Sequence, residues 1–554
     1  MERPMFPHAR NGPKAPHDRS GLGRRTILGA AIGAGGTAIS ATRGAHARPL
    51  VRVLTIPEQL SPGYDHIIVG AGSAGCVLAH RLAGAGRRVL LIEAGELATL
   101  PAIANPPDWP GLQGSAVDWR YQTLAQPGLG GRVVTCPRGK VVGGSSAINA
   151  LAYQRGHRAA YDRWPPGWQF DDLLPCFKRA ETFSGGADSW HGGEGPLHVL
   201  SLEGAADRTP VAAAFIAAAQ ERGYAYAADI GGANPTGVGW NQLSIQGHFR
   251  DDAATAYLSR LEGKSVDLLV GTQVMGLAIE HGTCIGVRLR DRIVPSDNDV
   301  LLCAGAIDSP RLLLLAGIGP ADDLHKLDIP VAHDLPDVGQ NLEDHLLVAG
   351  VAYAARREVA RSHYNHADAL LYVPREPDES PDLLVMCLSL PFVLPTVGPL
   401  PAPAYVLAPC LLRPQSRGSV RLASADPLAA ALIDPNYLGE PVDLEMLVDG
   451  VALAREIGAA NAFSDWRSHE IYPGPGCTSR AGLRSFVRLA ANSFHHPTGT
   501  CRIGAVVDNN LRVNGVRGLR VADASVFPGI PQAMVNAATI AVAERASDIV
   551  LSDR

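Results

Sequence analysis

The sequence has little net charge, no closely paired cysteines and no long apolar run in its interior. Its 49 lysines and arginines nearly balance 54 aspartates and glutamates, which leaves a formal charge of −5. That balance gives no electrostatic footprint for nucleic acid. The nine cysteines form no C-x-x-C pair, so neither a zinc site nor a dense disulfide framework is indicated. No interior segment has the roughly 18–20 continuous apolar residues of a membrane helix.

The first 47 residues resemble an export signal. Arg24 and Arg25 precede a glycine- and alanine-rich apolar run over residues 26–42, and Ala45-His46-Ala47 offers small residues for cleavage. The paired arginines are typical of a twin-arginine signal, which exports proteins that have already folded. We therefore predict a signal peptide over 1–47 and a periplasmic protein. A cytoplasmic enzyme with a disordered extension is the alternative.

A dinucleotide-binding fingerprint follows the signal. Residues 66–69 are apolar, and Gly70, Gly72 and Gly75 then come at G-x-G-x-x-G spacing before a helical pattern over 74–82 and a second apolar run over 89–92 that ends at Glu93. The glycines permit a tight turn, a close approach to a pyrophosphate and helix–strand packing. A carboxylate about 20 residues on can accept hydrogen bonds from a ribose hydroxyl. By itself this pattern does not distinguish NAD, NADP and FAD.

The rest of the chain predicts a parallel sheet with helices and a second domain with an antiparallel sheet. Apolar runs at 300–302 and 519–521 read as buried strands, and helices are expected near 309–315, 443–457 and 535–551. Alternation over 266–289 and breaker-rich strands over 345–440 favour antiparallel pairing. The expected divisions are cofactor-binding segments at 63–160, 196–330 and 485–554, a lid at 161–195 and a substrate domain at 331–484.

Four blocks resemble the glucose–methanol–choline (GMC) family of FAD oxidoreductases. They are GAGSAG with Glu93, the run GKVVGGSSAINALAYQRGHRAAYD over 139–162, GAIDSPRLLLLAGIG over 305–319, and the pair HHPTGTCRIG and LRVADASVFP over 495–504 and 519–528. Ala316 replaces the serine usual in the third block. The resemblance covers nearly the whole chain after residue 63 and implies the family's α/β fold, an FAD-binding Rossmann-like domain beside a substrate domain.

The resemblance also implies a set of residues that bind FAD. Some relatives attach FAD covalently through a histidine, but Ile148 stands at that position here, so non-covalent FAD is expected. No metal is expected. The implied contacts are Gly70, Gly72, Ser73, Ala74, Gly75, Glu93, Ala94, Trp119, Arg138, Val142, Gly143, Gly144, Ser145, Asn149, Ala150, Leu151, Val274, Asp523, Ala524, Asn536 and Thr539.

His496 is the expected catalytic base. Alcohol oxidation removes a hydroxyl proton and a carbon-bound hydride, and flavin N5 accepts the hydride. A neutral histidine with a pKa near the working pH suits the proton. His496 holds the position that the family uses for this task. His495 either lines the substrate pocket or packs beside it, and it is an alternative base.

The second catalytic position departs from the family pattern. Relatives carry Asn or His two residues before an asparagine that opens the last helix, and this chain carries Met534 before Asn536. A thioether is only a weak acceptor, so His496 works alone, or His495 or Gln532 assists it. The helix N-terminus near Asn536 directs positive charge towards the flavin N1/O2 edge.

The expected function is oxidation of a primary alcohol, aromatic or bulky alcohols included, to an aldehyde. The alternatives are a hydroxynitrile lyase-like flavoprotein, against which Met534 argues, and a flavoprotein with little catalysis. The sequence leaves the electron acceptor open among oxygen, a quinone and a cytochrome. The substrate pocket is expected from loops around 96–120, 360–410 and 460–475.

Overall fold

A six-stranded parallel sheet carries the glycine fingerprint. The computed structural model describes residues 51–261, 266–375 and 380–553, which belong to one compact unit. Every neighbouring pair of strands in this sheet is parallel. The strands lie in the order Arg52–Leu54, Val266–Leu269, Val89–Ile92, His66–Val69, Val300–Leu302 and Leu519–Val521. Nearly all of their residues are buried, as expected of a parallel sheet covered on both faces.

Three helices follow strands of this sheet. Ser73–Gly84 begins just after the first glycines, Gly305–Leu315 follows the strand Val300–Leu302, and Val535–Ser552 is the last helix. The first and last of these helices pack against each other. Neither receives a side-chain cap at its N-terminus, so their first backbone N–H groups remain available to a ligand.

A large antiparallel sheet forms the second layer. Six of its strands run in the order Arg467–Tyr472, Val351–Ala355, Ala404–Leu411, Pro381–Leu388, Ala369–Pro374 and Gly237–Trp240. Leu346–Val348 pairs with both Ala404–Leu411 and Ala491–Ser493. The helices Pro441–Gly458 and Pro210–Glu221 pack on this sheet and bury its apolar side chains.

Smaller elements complete the chain. The short sheets contain Glu181–Phe183, Leu197–Ser201, Gln242–Gln246 and Phe249–Arg250; Gly276–Glu280, Thr283–Arg288 and Ile293–Pro295; and the pairs Tyr121–Gln122 with Thr135–Cys136, Ile318–Gly319 with His333–Asp334, and Ser419–Arg421 with Leu432–Asp434. The other α-helices are Pro101–Ala104, Arg158–Tyr161, Phe170–Ala180, Ala253–Tyr257, Ala321–His325 and Arg480–Ala490.

The α/β fold class is confirmed, and three strands lie elsewhere than predicted. Val266–Leu269 was expected in an antiparallel segment but is parallel, because its four buried positions fill a central place between Arg52–Leu54 and Val89–Ile92. Gly237–Trp240 and Ala491–Ser493 come from ranges assigned to cofactor binding, yet both pair within the large antiparallel sheet.

Two further expectations concern membranes and export. Among the described residues, none of the helices combines the length and the apolar character that a membrane span requires. The predicted signal over 1–47 lies outside the described residues.

Candidate active site

A cavity of about 300 Å³ lies between the carboxyl edge of the parallel sheet and the large antiparallel sheet. The N-terminal residues of both uncapped helices line it, through Ser73 and Asn536. The two are joined, because the Ser73 hydroxyl donates to Asn536 Oδ1 at 2.7 Å. This edge of an open α/β sheet is where such folds bind their ligands.

The glycines of the fingerprint allow backbone to touch backbone. Gly70 has φ +100°, and a Cβ there would lie 2.5 Å from the carbonyl oxygen of Cys303. A Cβ on Gly75 would lie 1.9 Å from the carbonyl oxygen of Gly70, so this glycine serves helix–strand packing. A Cβ on Gly144 would lie 2.6 Å from Cα of Gly72, so the second block lies directly against the fingerprint.

Glu93 is buried at the end of its strand and shapes the fingerprint loop. Its Oε2 accepts from the backbone N–H of Ala71 at 2.9 Å, and its Oε1 accepts from that of Gly95 at 2.8 Å. Burial raises the pKa of the Glu93 carboxyl to about 7, although these backbone hydrogen bonds oppose the rise. The side chain also lines the cavity. Its contact with a ribose remains a prediction.

Most of the residues expected to bind the cofactor line this one cavity, and four do not. Those that line it are Gly70, Gly72, Ser73, Ala74, Glu93, Ala94, Trp119, Arg138, Gly144, Ser145, Asn149, Ala150, Val274, Asp523, Ala524, Asn536 and Thr539. Gly75, Val142, Gly143 and Leu151 lie behind the wall. Val142 and Leu151 are 2% and 0% exposed, and the Gly143 N–H donates to the Ala71 carbonyl at 2.8 Å. These four act on the cavity through packing.

His495 and His496 both line the cavity. The backbone N–H of His496 donates to Asp344 Oδ1 at 2.7 Å, and Asp344 Oδ2 accepts from the Ser493 hydroxyl at 2.6 Å. Arg138 donates to the His495 carbonyl at 2.5 Å from the other side. The segment that carries both histidines is therefore held from two directions.

Sequence reasoning missed His345, which contacts the expected base. Its Nδ1 lies 2.9 Å from Nδ1 of His496, and its Nε2 lies 3.0 Å from the carbonyl oxygen of Leu412. The pairing of Leu346 with Ser493 brings the two histidines together. His345 ends the run DLPDVGQNLEDH over 334–345, which lies outside the four blocks that carry the resemblance.

Burial keeps these histidines neutral. It lowers the pKa of His345 to about 3, and it also lowers the pKa of His495 to about 3, with the nearby Arg138 charge acting in the same direction. The pKa of His496 lies well below its ordinary value, first because of burial and then because of His345 and Arg138. A neutral imidazole is the form that can accept a proton.

Met534 lines the cavity at the expected partner position. It is 6% exposed, and its sulfur accepts a weak hydrogen bond from the Tyr372 hydroxyl at 3.7 Å. The alternative partner Gln532 is 1% exposed, does not line the cavity, and its Oε1 accepts from Arg163 at 3.1 Å. The structure therefore does not bring Gln532 to the site.

Apart from the residues expected to bind FAD, much of the cavity lining is apolar. This apolar wall was not predicted residue by residue, and it comprises Trp109, Leu347, Met386, Leu388, Leu390, Phe392, Phe494 and Met534. Several of these come from the expected ranges 96–120 and 360–410. The polar side chains Gln113, Asn241 and Asn365 also line the cavity. The range 460–475 was expected to contribute and provides no lining residue. It forms the outer strand Arg467–Tyr472 instead.

Comparisons with known proteins agree with this architecture. Family models described as GMC oxidoreductase match residues 64–347 and 414–543. Mitochondrial choline dehydrogenase of Mus musculus is 36% identical over 88% of this chain and 89% of its own. Alcohol dehydrogenase [acceptor] of Pseudomonas putida is 35% identical over 88% and 96%. The crystal structure of pyridoxine 4-oxidase from Mesorbium loti superposes with a TM-score of 0.84 at 37% identity, covering 88% and 99%.

The chain belongs to the GMC oxidoreductase family. The predicted enzyme class, an FAD-dependent alcohol oxidoreductase, is confirmed at this level. The cavity fits FAD on its own evidence. Close-packed glycines at Gly70, Gly72 and Gly144 form a backbone cradle, and two uncapped helix N-termini end in the same cavity, where their free N–H groups suit the anionic groups of FAD.

Proposed function

We propose that this protein oxidises a neutral primary alcohol with an aromatic or bulky side chain to the aldehyde. The observation that carries this proposal is that His496 lines the same cavity as the glycine cradle and the apolar wall. His496 removes the hydroxyl proton. When bound, FAD supplies the acceptor for the hydride on the alcohol carbon.

The charges around the cavity favour an uncharged substrate. The carboxylates that line it are Glu93, Asp308 and Asp523, which all belong to the FAD-binding side. Among the described residues no other carboxylate lines the cavity, and the half-buried cation Arg138 lies beside the histidines. A quaternary ammonium alcohol would be buried here without a counter-charge, which is costly.

A matched pair of alcohols tests the substrate class. Choline and 3,3-dimethylbutan-1-ol have the same shape and differ by one positive charge. Under anaerobic mixing we expect 3,3-dimethylbutan-1-ol and benzyl alcohol to bleach the flavin faster than choline does. Faster bleaching by choline would contradict the neutral class. Cyanohydrin cleavage with unbleached flavin would replace oxidation by a lyase activity, and silence in both assays would indicate a flavoprotein with little catalysis.

FAD is proposed to bind without a covalent bond. The residue at the position of the histidine that some relatives use for attachment is Ile148, whose side chain is 4% exposed and lines the cavity. An alkyl side chain offers no nucleophile for attachment. We expect acid precipitation to leave all the flavin in the supernatant, whereas yellow protein in the pellet would contradict this.

We also propose export through the paired arginines. Arg24 and Arg25 precede an apolar run and a small-residue cleavage motif. Cell fractionation should place the protein in the periplasm, and the double change Arg24→Lys and Arg25→Lys should retain it in the cytoplasm. A periplasmic double variant, or unaltered protein that stays in the cytoplasm, would contradict this route.

A further inference from the structure

His345 is held in one protonation state by its surroundings. Its side chain is 0% exposed, and its Nε2 lies 3.0 Å from the carbonyl oxygen of Leu412. A carbonyl oxygen can only accept, so Nε2 must carry a hydrogen. A neutral imidazole carries a single N–H, and burial keeps this ring neutral. Nδ1 of His345 therefore carries no hydrogen and has a lone pair that can accept a hydrogen bond.

That lone pair determines which ring nitrogen of His496 carries the hydrogen. The two Nδ1 atoms lie 2.9 Å apart, and a hydrogen bond between them needs one hydrogen. Because His345 has none at Nδ1, His496 must donate it. Neutral His496 is then the Nδ1–H tautomer, and its Nε2 is a free acceptor. In the described part of the chain, no hydrogen bond reaches this Nε2, and the ring lines the cavity.

We propose that His345 is a positioning residue that fixes the tautomer of His496, so that the proton acceptor Nε2 faces the substrate hydroxyl. The inference deepens the proposed function and rests on it for the role of His496. The adjacent Asp344 holds the His496 backbone, so two consecutive residues fix both the position and the tautomer of the base. In other proteins a carboxylate or a backbone carbonyl commonly accepts the hydrogen bond that fixes the tautomer of a functional histidine.

The proton step balances within the chain and the substrate. The substrate O–H bond breaks and an N–H bond forms at His496 Nε2, which leaves one positive charge on the imidazole and one negative charge on the substrate oxygen until the hydride leaves the carbon. The Nδ1 hydrogen keeps its acceptor on His345 throughout. The charged and titratable groups that face His496 are Arg138, His495, His345 and Asp344. The positive charge of Arg138 destabilises the imidazolium form of His496. The lone pair of His345 Nδ1 stabilises that form, because it accepts the hydrogen bond from His496 Nδ1.

Two substitutions of His345 separate acceptor chemistry from packing. In His345→Asn, the side-chain oxygen takes the place of Nδ1 and still accepts from His496. In His345→Leu, similar bulk remains without an acceptor. We expect the Leu variant to lose roughly 100-fold in kcat with little change in KM, and the Asn variant to recover most of this loss. We also expect the acid limb of the kcat/KM profile to move in the Leu variant and to stay in place in the Asn variant.

Nitrogen-15 NMR of histidine-labelled holoenzyme observes the tautomer directly. We expect His496 in the unaltered protein to show a protonated Nδ1 and an unprotonated Nε2, and the Leu variant to lose this preference. His469→Leu, at an exposed histidine of the outer strand, is the matched control for assignment and folding.

Three results would overturn the assignment. They are a protonated Nε2 in the unaltered protein, undiminished kcat in the Leu variant, and an equal loss in the Asn and Leu variants at full flavin content. If the unaltered enzyme oxidises no alcohol, the proposed function fails, and the NMR result still decides the tautomer.

Discussion

Met534 stands where the family pattern puts an amide or imidazole. Its thioether lines the same cavity as His496, but it is a weak acceptor and cannot donate to an alkoxide. Within the described part of the chain, its one polar contact is a weak hydrogen bond that the sulfur accepts from the buried Tyr372 hydroxyl, with oxygen and sulfur 3.7 Å apart. Met534 therefore contributes shape to the apolar wall, and the proposed acid–base chemistry rests on His496.

Met534→Leu should consequently leave the reaction nearly intact. Leucine has similar volume and no sulfur, and volume-conserving core changes usually cost less than about 1.5 kcal/mol. We expect kcat/KM for an aromatic alcohol within about tenfold of the unaltered enzyme, measured by anaerobic flavin reduction, with Met446→Leu on the helix Pro441–Gly458 as the control. A far larger fall in kcat alone would give the sulfur a catalytic role.

At this scale the sequence identified the proposed base and missed the residues that hold it. The H-x-x-G-T pattern identified His496 because its neighbours carry a family motif. His345 and Asp344 lie about 150 positions away, and they reach His496 only because Leu346–Val348 pairs with Ala491–Ser493. Register between distant strands depends on tertiary packing, so spacing along the chain could not predict the contact.

At the scale of elements, the two glycine blocks act as one cradle. Gly144 has φ +54°, and a Cβ there would meet Cα of Gly72 at 2.6 Å. Both residues line the cavity, so any separation of the two blocks opens the proposed phosphate site.

Gly144→Ala should therefore lower the flavin content more than the yield of folded protein. The added methyl group would contact the backbone of Gly72, and a backbone atom cannot move away by changing rotamer. We expect a clear drop in the flavin-to-protein absorbance ratio, checked against circular dichroism. Gly84→Ala, at a helix position where an added Cβ meets nothing within 4 Å, is the control and should keep full flavin. Equal flavin content in the two variants would contradict the cradle.

A buried charge cluster joins residues 161–195, the predicted lid, to the rest of the chain. His191 is 1% exposed, with Nδ1 at 3.0 Å from Glu181 and Nε2 at 3.1 Å from Asp229. Its ring stacks on Phe183 at 3.7 Å between centroids. Burial opposes a charge, but the hydrogen bonds to Asp229 and Glu181 outweigh it and raise the pKa of His191.

This cluster should make the protein less stable at alkaline pH. A raised pKa in the folded state gives stability that is fully present below the unfolded value of about 6.5 and is lost as pH rises through the folded pKa. We expect the urea midpoint to fall between about pH 6 and about pH 8, and His191→Gln to flatten this dependence. The exposed His469→Gln should leave it unchanged. An unaltered slope in His191→Gln would assign the loss to other groups.

The elements themselves were largely predictable, whereas their sheet membership was not. Local apolar patterns and glycines gave the strand His66–Val69 and the helix Ser73–Gly84 closely. Val266–Leu269 was assigned the wrong kind of pairing, because a short apolar run fits a parallel or an antiparallel neighbour equally well. Its partner strand lies more than 170 residues earlier in the chain, at Val89–Ile92.

At the scale of the whole molecule, one buried carboxylate joins four helices. Glu544 on the last helix is 0% exposed. It accepts from Arg81 at 2.8 Å through both oxygens, from Arg179 at 2.7 Å and from the Tyr257 hydroxyl at 2.9 Å. These partners lie on Ser73–Gly84, Phe170–Ala180 and Ala253–Tyr257. The last helix and the fingerprint helix thereby hold their N-termini at the same cavity.

Glu544→Gln should weaken both the fold and the binding of FAD. Removing one partner of a buried ion pair typically costs 3–5 kcal/mol, and the partial exposure of Arg81 and Arg179, at 24% and 36%, places the expected loss near the lower end, about 3 kcal/mol. Urea unfolding and flavin content measure the two effects. Glu445→Gln is the matched control, because Glu445 also bridges two arginines, Arg480 and Arg484, but at the surface, so its change should cost far less. Equal losses of unfolding free energy in the two variants would mean that burial does not strengthen the Glu544 contacts. Unchanged flavin content in Glu544→Gln would mean that these contacts do not affect FAD binding.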